Sequence, residues 1–156
     1  MTVFGFDDLV YTVPPSSSFA DICKIRPNET SAEDYSPVFL GHARLYVFSE
    51  KWDIQPLKAL VLHKLHAILR AYTPYEARYG DAVELIRYTY ENTPCRKRMD
   101  RLRELVTQYV AHETIQIAGS KPCLSLVEDG GPFARDLLSM VLEKVTKSES
   151  KGIHNW

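Results

Sequence analysis

Apolar residues recur along this chain at intervals of three and four, the spacing of helices that each bury one face. Between Val38 and Glu50 they fall at Phe39, Ala43, Tyr46 and Val47. Pro37 is placed to open that helix, where its missing N–H would have had no partner. Pro56 opens a second in the same way, and Leu57, Leu60, Val61, Leu65, Ile68 and Leu69 carry it to Tyr72. The turn between them, Trp52-Asp53-Ile54-Gln55, is so short that the two helices must pack together. Lys51 places a cation near the negative end of the first helix, and Trp52 and Ile54 are expected to plug the corner.

Thr73-Pro74 through Gly80 interrupts the pattern and marks a candidate boundary. Asp81 with Glu84 has the spacing of a capping box, followed by Val83, Ile86 and Tyr90, and Asn92-Thr93-Pro94 stops that helix. Asp100 is placed to cap the next, whose stripe is Leu102, Leu105, Val106, Tyr109 and Val110. Gly119 to Pro122 ends that section, and Gly130-Gly131-Pro132 opens a last helix with Phe133, Leu137, Val141 and Val145 every four residues, flanked by Leu138 and Leu142.

Less regular segments lie between and around these. Phe6, Leu9 and Val10 give a short amphipathic turn at the start. Val13 to Pro37, with its prolines, serines and acidic cluster, is expected to be a flexible and mostly disordered loop. The Ser, Lys and Glu tail after Val145 is expected to fray. Alternation suggesting a strand occurs only around Thr114 to Ala118, too short to build on. The expected fold is mainly all-α, with about five longer helices packed as hairpins and no solenoid repeat.

Composition narrows the function classes. Of 156 residues, 19 are Lys or Arg and 20 are Asp or Glu, so no net field gathers phosphates or anionic lipid from a distance. Nucleic acid and membrane are therefore poor partners on charge alone. Cys23, Cys95 and Cys123 form an odd set without CxxC spacing, which argues against a disulfide framework or thiolate metal site. No apolar run reaches the roughly 18 residues of a membrane span. Asp7 and Asp8 stand where a secretory signal would be basic and then apolar. The expectation is an intracellular protein of cytoplasm or nucleus.

The stretch His42-Ala43-Arg44-Leu45-Tyr46-Val47-Phe48-Ser49-Glu50-Lys51-Trp52-Asp53-Ile54-Gln55-Pro56-Leu57-Lys58 resembles the helix pair near the end of a fungal BTB/POZ domain, most specifically at Tyr46, Lys51, Ile54, Leu57 and Lys58. Phe6-Asp7-Asp8-Leu9-Val10-Tyr11-Thr12 resembles the helix ending in Tyr-Thr-Gly that precedes this pair, with Val13 where the family commonly has Gly. Residues 83–94, 102–106 and 128–134 are similar to the helical region after the domain. The resemblance implies a partial BTB/POZ domain over 1–72, lacking the N-terminal strands and containing the flexible loop 13–37. It further implies a BACK-like helical extension over 73–145 and a disordered tail over 146–156. It also implies a non-enzymatic protein–protein interaction module, adaptor-like for a cullin-type ubiquitin ligase, whose partners are a cullin scaffold or a second copy. Val13 to Ser36 shows no clear instance of the hydrophobic residue two before a Glu that scaffold-binding members present.

Candidate chemistry adds little to this. His63 and His66 share a helix face but lack the further ligands of a zinc site. His42 and His112 read as packed or solvated side chains. Ser49-Glu50-Lys51 and Cys95 have no assignable base. No catalytic, metal or cofactor residue is assigned, no cofactor is expected, and the partner-binding residues are left open. Arg96-Lys97-Arg98 with Arg101 and Arg103 is interleaved with Glu91, Asp100 and Glu104, the pattern of a solvated face. Tyr72, Tyr75 and Tyr79 either cap the core or offer a contact surface. The rival readings are a transcription- or chromatin-associated factor touching nucleic acid through Arg96 to Arg103, a small enzyme of unrecognised type, and a truncated BTB paralogue without independent function.

Overall fold

The computed structural model describes residues 5–11 and 24–152, with only the backbone of Thr114, Ile115, Lys151 and Gly152. It is mainly helical, without strands among the described residues. The five longer helices of the sequence pattern are all present: α1 (Ser36–Lys51), α2 (Gln55–Ala71), α3 (Tyr79–Asn92), α4 (Arg101–His112) and α6 (Pro132–Gly152). Pro37, Pro56 and Pro132 sit in first turns, and Asp100 caps α4 by accepting from Leu102 N at 2.8 Å and Arg103 N at 3.4 Å. Gly130 and Gly131 take φ of 74° and 91°, left-handed values that admit Gly at no steric cost, immediately before α6.

A further helix, α5 (Lys121–Glu128), lies where the pattern suggested only an ending. Ser120 caps it, and buried Cys123 with half-buried Leu126 and Val127 sets it on the core. Thr114–Ala118 is a wide π-type helical turn rather than a strand. Phe6–Asp8 forms a single 3-10 turn that buries Phe6. Tyr11 is buried nearby while Val10 is 83 % exposed, so the stripe expected there does not form.

α1 packs against both α2 and α3, α3 against α4 and α5, and α4 against α6. One core runs through the punctuation at 73–80, from Phe39 and Tyr46 through Leu65 and Leu85 to Leu105 and Ile117. Trp52 and Ile54 do not plug the α1–α2 corner, since they are 62 % and 38 % exposed. Backbone closes it instead: Ile54 N donates to Ser49 O at 2.9 Å and Asp53 N to Glu50 O at 3.3 Å, with Asp53 at φ 52°. This is the paired hydrogen-bond ending in which a left-handed residue stops a helix, here without glycine.

Asp81 is not an N-cap. α3 begins at Tyr79, and Asp81 lies inside its first turn, 4 % exposed. Its carboxylate accepts from Tyr35 N at 3.0 Å, Ser36 Oγ at 3.1 Å and Tyr72 Oη at 3.4 Å, and pairs with Arg78 at 2.8 Å. It thus supplies from α3 an acceptor for Tyr35 N, while Asp34 accepts locally from Ser36 N at 2.9 Å. Burial, reinforced by this carboxylate, pushes the Tyr72 phenol well above its usual range.

The loop expected over 13–37 divides at the described boundary: 13–23 lies outside the described residues, and 24–35 is fastened in place. Asn28, 4 % exposed, donates its amide to Thr73 O at 2.7 Å and accepts from Thr73 N at 2.7 Å. Tyr75 Oη donates to Glu29 O at 2.8 Å and Tyr35 Oη to Arg26 O at 2.8 Å. Tyr72 and Tyr75 therefore face the molecule's own backbone and core. At the far end α6 continues beyond Val145 to Gly152, exposed along that stretch up to Ser150. Residues 153–156 of the expected tail lie outside the described residues.

Tyr109 is 1 % exposed, and among the described residues its hydroxyl has no hydrogen-bond partner. An unmade bond to a buried polar atom costs more than its absence from both states. Tyr109→Phe is therefore expected to raise stability by about 1 kcal/mol, read as a higher urea midpoint at unchanged m.

Candidate interaction surface

α1 is apolar on two sides. Phe39, Ala43 and Tyr46 are buried, while Val38, Leu45, Phe48 and Trp52 point outward at 38, 41, 48 and 62 % exposure. With Gly41 these outward residues follow one another by three and four, a continuous stripe along the helix. A Cβ added at Gly41 would meet nothing within 4 Å, so this turn of the stripe is open to close approach. The Phe48 and Trp52 rings lie 6.3 Å apart, and Lys51 Nζ stands 5.8 Å from the Trp52 ring. An apolar groove of about 440 Å³ adjoins the Val38 end, lined by Ile25, Tyr35, Val38 and Ile68 with Lys24 and Lys64 at its edge. A second exposed stripe, Leu138, Leu142 and Val145, lies on α6.

The basic cluster does not form one solvated face. Arg103 is 4 % exposed: its Nε donates to Thr93 Oγ1 at 2.7 Å, its Nη2 to the Tyr90 and Thr93 carbonyls, and it lies 4.5 Å from the Tyr90 ring centroid. Arg101 turns the other way, over the Tyr11 ring at 5.2 Å. Arg96 and Lys97 remain exposed and, with Arg103 and Arg135, line a cavity of about 360 Å³ between the α3–α4 loop and α6. Charge alternation along the sequence cannot reveal this, because Arg103 and Arg135 approach through the fold.

His63 and His66 are not brought together as a pair. His63 is exposed, whereas His66 is 6 % exposed and its Nε2–H donates to the Phe6 carbonyl at 2.8 Å, with the Phe6 ring edge-on at 4.9 Å. Burial holds the His66 pKa below its usual value against the opposing pull of that carbonyl. His42 Nδ1 is 2.8 Å from Val38 O, and His112 Nε2 lies 3.9 Å from Asp7 and from Glu113. Among the described residues no three His, Cys, Asp or Glu side chains gather as a metal site. Ser49 is buried and donates to Tyr46 O at 2.7 Å, so its hydroxyl has a structural use. Cys95 is exposed, while Cys123 is buried and its thiol pushed up to about 11 by desolvation. Cys23 lies outside the described residues.

No helix among the described residues is long and apolar enough to cross a membrane. Comparison of the chain with protein-family models, curated proteins and solved structures found no match in any of the three. The geometry of the two apolar stripes and the basic cavity thus carries the functional reading.

Proposed function

We propose that this chain is a non-enzymatic protein–protein interaction module whose docking face is the outward side of α1. The carrying observation is the Val38–Leu45–Phe48–Trp52 stripe on a helix whose other side is already buried in the core. A contiguous apolar patch ending in a 62 % exposed Trp is the composition of an interface centre, where aromatic anchors carry most of the affinity. Lys51 and Arg44 flank it as a polar rim. The finer reading, a partial BTB/POZ domain continuing into a BACK-like extension and serving as an adaptor for a cullin-type ubiquitin ligase, rests on the residue resemblance across α1 and α2. In that reading the occupant of the stripe is the cullin scaffold.

The test uses a variant that leaves the core intact. Phe48→Asp with Trp52→Asp is expected to preserve the helical circular dichroism and the melting temperature within a few degrees, because both side chains are about half exposed or more. Affinity purification of the tagged protein from its source cells, quantified against this variant, is expected to recover a cullin scaffold at least about tenfold more strongly with the unaltered chain, the loss of one buried aromatic anchor or more. Recovery of chaperones alone, or of a scaffold equally by both forms, would overturn the reading.

A further inference from the structure

We infer that the cavity between the α3–α4 loop and α6 is a binding site for a phosphate group, esterified or free, an inference independent of the docking face on α1. Its inner wall is the Arg103 guanidinium, which is buried and held by neutral acceptors only: two carbonyls, one hydroxyl and the Tyr90 ring. Among the described residues no carboxylate lies within ion-pair distance of it. A buried cation whose direct partners are all dipoles leaves attraction for an anion in the adjoining space.

The rest of the lining strengthens this. Arg96, Lys97, Arg103 and Arg135 give four cations against the two carboxylates Asp100 and Asp136, an excess of two positive charges. Both carboxylates already have partners, Asp136 with one of them inside the lining. Asp100 accepts from the α4 backbone and from Tyr46 Oη at 3.0 Å, and Asp136 accepts from Tyr90 Oη at 2.9 Å and from Arg135 at 3.1 Å. Arg135 also reaches Cys95 Sγ at 3.8 Å, and Arg96 lies 3.9 Å from Glu50. These two side chains are 64 and 67 % exposed, so they can swing onto a ligand while Arg103 stays fixed.

A phosphomonoester carries a charge of roughly −1.5 to −2 at neutral pH and presents three acceptor oxygens, matching both the excess charge and the planar donor forks of arginine. Pro94 and Met99 add an apolar wall against which the esterified carbon can rest. The group has two sources, a phosphorylated side chain of a partner protein or free inorganic phosphate.

The experiment is a titration of the ¹⁵N-labelled chain with phosphoserine, inorganic phosphate and serine at constant ionic strength, following backbone amides and arginine Nε–H signals. Phosphoserine is expected to give saturable shifts at Cys95 to Met99 and at Arg103 Nε–H, and serine none. Phosphoserine binding more tightly than inorganic phosphate assigns the phosphorylated side chain, and equal affinity assigns the free anion. Arg96→Glu with Lys97→Glu, both on exposed positions, is expected to weaken phosphoserine binding by about tenfold or more. Arg103→Gln is expected to abolish it if the fold survives that change, and the double rim variant decides the matter irrespective of folding at Arg103. Shifts that are linear and scattered over the surface, or a rim variant that binds as the unaltered chain does, would overturn the inference.

Discussion

Replacing Asp81 by alanine is expected to lower the free energy of unfolding by about 2–4 kcal/mol, because it leaves more than one partly buried donor unsatisfied at about 1–3 kcal/mol each. The carboxylate collects four donors from three parts of the chain: Tyr35 and Ser36 at the start of α1, Tyr72 at the end of α2, and Arg78 before α3. Alanine would strand Tyr35 N at a helix start and leave Arg78 with Asp34 alone. Asp81→Asn keeps the shape and one acceptor, and its loss is expected to be smaller. Urea denaturation of the two variants measures both, and a loss below about 1 kcal/mol for alanine would show that this carboxylate does not anchor α1.

Phe39→Ala is expected to cost about 3–5 kcal/mol, as large-to-small changes at filled aromatic sites do. Phe39 is 0 % exposed, with the Tyr72 ring edge-on at 5.1 Å and the Tyr35 ring at 6.0 Å. Phe48 stands on the opposite side of the same helix, and alanine there is expected to change stability by no more than about 0.5 kcal/mol. Chemical denaturation of the pair separates the two faces of α1. Equal losses would mean that the outward stripe is covered within the chain itself, which the docking proposal does not survive.

What the sequence made legible follows physical range. The long helices were readable because their stripes repeat over three turns or more and their ends carry Pro, Asp or Gly, all local signals. α5 was not, since Cys123, Leu126 and Val127 span little more than one turn, too short a repeat to separate from the Gly119 to Pro122 ending. Asp81 and Glu84 had the spacing of a cap, yet two of the donors that Asp81 serves, Tyr35 N and Ser36 Oγ, lie about 45 residues away, where local spacing says nothing. The same distance separates Asn28 from Thr73, so a segment with loop composition gained its fixed course from pairings invisible along the chain. For the candidate surfaces, the outward stripe of α1 stood in the sequence as the apolar residues left over once Phe39, Ala43 and Tyr46 were assigned to the core. The cavity did not, because α3, α4 and α6 each bring a piece of it.

The packing of α1 between α2 and α3 has a consequence for how the molecule comes apart. Neither the helices before residue 73 nor those after it can keep their apolar faces covered once α1 leaves, and Asp81 and Thr73 hold polar groups from the other side of that point. Local opening at 73–80 is therefore not the hinge between two separately melting units that Pro74 and Gly80 suggest. The helices on both sides should lose protection from hydrogen exchange together, as one cooperative foldon, with the exposed end of α6 fraying well before it.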